Sequence, residues 1–137
     1  MEAVAVTLIV LRGALVLLSL VAIGVCLLVG LPLLVREPVA WQQRLFGFTA
    51  VLLVVTMFME ITVRTAFMGG VSWLHASYGL ITTAVFYAVD GLKENGWLRK
   101  GLQKVPERIG PYMFWAGLVG LLLWVRFIQT GLAPRSN

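Results

Sequence analysis

MFMEITVRTAFMGGVSWLH, residues 57–75, is the stretch that decides how this chain folds. Two apolar helices meet there at Gly69-Gly70, since glycine takes the backbone angles that a tight reversal needs. The turn carries Glu60 and Arg64 on the incoming helix and His75, the chain's only histidine, on the outgoing one. Glu60 and Arg64 stand at i and i+4 with the acid first, the favourable order for a helical ion pair. Glu60 is also the one carboxylate set well inside an apolar segment, so any chemistry belongs beside this hairpin.

Outward from the hairpin the chain is apolar. Its 137 residues are 60% hydrophobic and 12% charged, with a mean hydropathy of +0.93, more apolar surface than a soluble core of this size can hide. A helix crosses a hydrocarbon layer about 30 Å thick with roughly 20 apolar residues, and four segments are long enough. They run over about residues 4–35, 41–67, 71–92 and 112–132. The expected fold is all-α, an integral membrane four-helix bundle with short connections, forming a single transmembrane domain over residues 1–137. Only Glu2 precedes the first span, with no basic leader before it, so that segment reads as a retained span rather than a cleaved signal.

Punctuation between the spans agrees with this reading. Pro32 and Arg36-Glu37-Pro38 close the first helix, because the residue before a proline is biased away from helix. Ser72 is a candidate N-cap for the third, and His75, Tyr78, Gly79 and Thr82 share the face expected to look into the bundle. Ala116, Gly117 and Gly120 make a small-residue patch on the fourth, where another helix can approach closely. Between spans three and four, Trp97, Leu98, Gly101, Leu102 and Val105 fall on one helical face opposite Arg99, Lys100, Gln103 and Lys104. That pattern predicts a basic amphipathic helix lying in the interface.

The net charge of +5 resides largely in connections flanking the spans, which points to anionic lipid headgroups and not to nucleic acid. Arg36, Arg44, Lys93, Arg99, Lys100, Lys104 and Arg108 gather on one side, which predicts cytoplasmic basic loops and both termini outside. Arg12, Glu60, Arg64, His75 and Arg126 then share one layer, each roughly 5–12 Å inside the outer end of its span at 1.5 Å per residue. Ionisable groups at such depth cost several kcal/mol unless paired, hydrated or snorkelling. Three arginines face one glutamate, so the layer expects an anion, a polar cofactor or an acidic partner surface.

Haem b suits these residue types: His75 would ligate iron, with Met57 or Met68, water or a histidine from a partner as the second ligand, and Arg12, Arg64 and Arg126 would meet propionates. Glu60 and Tyr78 complete the expected cofactor-binding set. A quinone bonded by His75 is the milder version. In the competing reading the arginines snorkel to lipid phosphate and His75 is simply hydrogen-bonded in the bundle. A copper site from Met57, Met59, Met68 and His75 is outweighed by ordinary methionine packing. Cys26, the single cysteine, lies 14 residues beyond Arg12, about 21 Å along the helix, too deep to pair with His75, and reads as an inert buried thiol. No phosphate loop, zinc-spaced ligand set or Ser/His/Asp constellation is present, so the chain is not expected to be an enzyme on its own.

Leu11-Arg12-Gly13 near the start of the first span and Trp73-Leu74-His75 at the start of the third, with four short-linked spans, resemble small bacterial membrane proteins of the broad cytochrome b561-like class. The likeness covers most of the chain by architecture and a few residues by motif. It implies haem-mediated electron transfer in a bacterial inner membrane, with His75 as the one ligand position carried over. The function expected is an accessory or cofactor-contacting subunit of a membrane redox assembly, partnered by other membrane subunits or further copies of itself. The alternative is a stand-alone structural or lipid-binding membrane protein without cofactor.

Overall fold

A computed structural model describes residues 2–92, 96–101 and 108–132. The described residues form five α-helices: α1 (Glu2–Gly30), α2 (Ala40–Phe67), α3 (Trp73–Asp90), the single-turn α4 (Trp97–Gly101) and α5 (Gly110–Leu132). A short 3-10 turn, Pro32–Leu34, follows α1. Three of them, α1, α2 and α5, are long and apolar enough to cross a membrane. By that measure α3 falls short, because 18 residues must accommodate His75, Ser77, Thr82, Thr83 and Asp90 as well as the apolar positions.

Each long helix packs mainly on two neighbours, α1 and α3 both lying against α2 and α5. Side-chain pairs fix every adjacent pair as antiparallel. Along α1 and α2, Arg12 meets Glu60, Ser19 meets Thr56 at 2.9 Å and Cys26 meets Thr49 at 3.2 Å. These steps of seven residues on α1 form a polar ladder at the period of a knobs-into-holes seam. The residues α1 buries, Val16, Ser19, Ile23, Cys26 and Gly30, repeat three and four apart, as do His75, Gly79, Thr82 and Phe86 on α3. In lipid such a seam gains little from apolar burial, so close packing and interhelical hydrogen bonds must hold it.

Small residues set the closest approach. A Cβ added at Gly117 would lie 2.9 Å from the Cα of Leu27, so α5 reaches the backbone of α1 only because position 117 has no side chain. Below it Trp124 is fully buried, its indole N–H donating to the carbonyl of Val16 at 3.1 Å. At the hairpin Gly69 and Gly70 take φ of 83° and 114°, the left-handed region expected of a Gly-Gly turn. The carbonyl of Arg64 accepts the N–H groups of both Met68 and Gly70, at 3.0 and 2.8 Å, which ties the turn to α2.

Two boundaries differ from the sequence reading. The first helix stops at Gly30 rather than near residue 35, since the Pro32 ring tightens the chain into the 3-10 turn and Glu37 then pairs with Arg108 at 3.2 Å. The basic helix of the third connection is described only over Trp97–Gly101. Of its expected members Leu102, Gln103, Lys104 and Val105 lie outside the described residues, as does Lys93.

Candidate functional site

Glu60 is fully buried at the centre of an ion cluster drawn from three helices and tied to a fourth by neutral oxygens. Arg12 of α1 donates Nη1–H to both carboxylate oxygens, at 3.1 and 2.9 Å. Arg64, one turn further along α2, donates Nε–H to Oε1. Its Nη2 donates to the carbonyl of Gly131 at 3.2 Å, so the same guanidinium ties α2 to the last turn of α5. His75 of α3 brings Nε2 to 2.8 Å from Oε1. A carboxylate among three cationic or proton-bearing groups meets the condition under which a charge survives burial.

Local sequence aims His75 at this point. Ser72 caps α3, its hydroxyl accepting the N–H of His75 itself at 3.2 Å, which places the histidine in the first turn directly after the hairpin. The imidazole Nδ1 sits 2.8 Å from the carbonyl of Phe127 and 3.0 Å from the hydroxyl of Thr130. That hydroxyl in turn donates to the same carbonyl at 2.9 Å. Carbonyl oxygens only accept, so the ring carries a hydrogen on Nδ1. Phe127 stacks on the imidazole with centroids 4.1 Å apart, and Trp124 stacks on Phe127 at 4.3 Å. The three rings form one column from the core to the cluster.

Of the residues expected from the sequence, Arg12, Glu60, Arg64 and His75 come together. Arg126 and Tyr78 do not join them. Arg126 is one residue off the inward face that carries Trp124 and Phe127, and its exposed guanidinium lies 5.9 Å over the Tyr78 ring and donates to Gln129 at 3.0 Å. Met57 is buried against Gly79, and Met68 is half-buried at the C-cap of α2, in the hairpin turn. Cys26 is buried and bonded to Thr49, as an inert thiol should be. Sequence reading missed Phe127, Thr130 and Gly131. Their signal was available in the spacing of Gly117, Gly120, Trp124, Phe127 and Gly131, which marks the inward face of α5, but two of the three contribute main-chain oxygens that no side-chain motif announces.

These residues were also the candidates for a haem site, and the imidazole among them already has partners within the bundle. Both imidazole nitrogens of His75 are taken, by Glu60 and by Phe127, and the ring face is covered by Phe127. Axial ligation of iron needs a free ring nitrogen with open space in front of it.

The fold and the cluster define the class: an all-helical chain with three helices fit to span a membrane and an ion cluster at one end of the bundle. No family model, curated protein or solved structure matches the chain.

Proposed function

We propose that this chain is a four-span integral membrane bundle without a redox cofactor of its own, acting as a structural and lipid-binding element of the bilayer, alone or beside other membrane subunits. The observation that carries this reading is the engagement of both ring nitrogens of His75, one by Glu60 and one by the carbonyl of Phe127. The chain's one imidazole, the group best suited to ligating iron, already serves two other helices. The position of α3, packed antiparallel between α2 and α5, supports a fourth span there. Its polar residues are satisfied without water, His75 by α2 and α5, and Ser77, Thr82 and Thr83 each by the carbonyl four residues back on α3 itself. Large apolar side chains such as Val10, Leu28, Phe58 and Leu122 stand exposed around the bundle and suit acyl chains. Arg36, Arg44, Arg99, Lys100 and Arg108 belong to the opposite end from the cluster, which supports cytoplasmic basic loops and external termini.

A second reading, a subunit contacting haem b or a quinone in a redox assembly, draws on the cluster's cationic excess and on the likeness to the cytochrome b561-like class. It requires His75 to leave Glu60. Absorption spectroscopy separates the two. Protein purified in mild detergent with its native partners is expected to be colourless, whereas a reducible Soret band lost in His75→Ala would replace the first reading with the second.

A further inference from the structure

We propose that Arg12 and Arg64 form a binding site for the phosphate of an anionic lipid headgroup at the α1–α2 edge of the cluster. The argument begins with protons. Because Nδ1 of His75 must donate to the Phe127 carbonyl, the 2.8 Å contact between Nε2 and Glu60 holds one further hydrogen. That hydrogen belongs either to an imidazolium facing a carboxylate or to a carboxylic acid facing an imidazole. In both cases the His75–Glu60 pair sums to zero charge. The two guanidiniums are therefore uncompensated, and the cluster carries two positive charges wherever the proton rests.

Such a charge beside hydrocarbon demands a counter-ion. The donors to hold one are present. Nη2 of Arg12 and Nη1 of Arg64 have no hydrogen-bond partner among the described residues; Nε of Arg12 has none either, but it is buried. Both side chains retain 15% of their surface, enough for a headgroup to touch them from outside. Guanidinium forks match phosphate geometry. Exposed apolar residues stand next to these positions in sequence, Val10 and Leu11 before Arg12 on α1 and Phe58 and Ile61 on either side of Glu60 on α2. A phosphate arriving on acyl chains satisfies charge and apolar surface together, whereas free phosphate satisfies the charge alone. This inference rests on the membrane reading above and deepens its lipid-binding part.

The test is native mass spectrometry of the whole protein exchanged into mixed micelles of phosphatidylglycerol and phosphatidylcholine in equal amounts, with inorganic phosphate as a third arm. Wild-type protein is expected to retain phosphatidylglycerol in preference to phosphatidylcholine, and Arg12→Gln to lower that retention by about tenfold, the loss of one charge-assisted fork. Glu60→Gln gives the opposite sign. It frees more guanidinium donors, so lipid retention rises even as the bundle weakens, which a mere folding defect cannot produce. Equal retention of the two lipids, unchanged retention in a folded Arg12→Gln, or a fall in Glu60→Gln overturns the proposal. Displacement of phosphatidylglycerol by millimolar inorganic phosphate overturns the lipid source. A failure here leaves the colourless spectrum intact, so the two readings fall separately.

Discussion

Glu60→Gln is the sharpest probe of the bundle. The glutamine amide has nearly the carboxylate's shape and keeps one acceptor oxygen, so the change removes charge and leaves volume in place. In the parent, Glu60 accepts from Arg12 and Arg64 and shares a hydrogen with His75, within a site where it is itself fully buried. A hydrogen bond to a charged group contributes about 1.5–3 kcal/mol against roughly 0.5–1.5 for a neutral one. Three contacts weakened by about 1 kcal/mol each give a loss of about 3 kcal/mol, at the lower end of the range for breaking a buried ion pair. The lower end is the right one, because Arg12 and Arg64 keep some solvent contact and can swing outward. For a chain of this size about 3 kcal/mol corresponds to a fall in Tm of roughly 10 °C. The measurement is thermal unfolding in detergent followed by the fluorescence of Trp124, which is fully buried and stacked into the column leading to the cluster. A Tm within about 2 °C of the parent would mean that Glu60 carries no net charge interaction, and the cluster would lose its structural role.

Gly117→Leu should separate α5 from α1, because its Cβ would press on the backbone at Leu27. A loss of about 1–3 kcal/mol is expected, and equal thermal stability of variant and parent would refute the close approach. Ser19→Ala and Thr56→Ala should each cost under about 2 kcal/mol, and a double-mutant cycle should return a coupling well above zero; additive effects would show that the 2.9 Å contact is not formed. Cys26 should resist maleimide in folded protein and react once the bundle is unfolded, and prompt labelling in the native state would place it at an open surface. In a Cys26→Ser background, Lys100→Cys should be labelled from the cytoplasmic side and Glu2→Cys from outside, the reverse pattern inverting the topology.

The sequence by itself determined the helices and where they turn. Apolar runs of spanning length, Pro32, Ser72 and Gly69-Gly70 are local features whose backbone consequences need no partner, and the structure meets them with a 3-10 turn, a serine cap and two left-handed glycines. The Glu60–Arg64 pair was legible for the same reason, since residues four apart on one helix are neighbours before any tertiary contact forms. Depth along each span was legible too, which is why Arg12 and His75 were matched to Glu60's level. Facing was not. Arg126 and Phe127 differ by one residue and so by about 100° around α5, and only packing decides which of them meets His75. That rotation gives the histidine a main-chain carbonyl at Nδ1 instead of an arginine nearby. With its other nitrogen on Glu60, His75 ties α2, α3 and α5 together, a placement that only the tertiary structure decides.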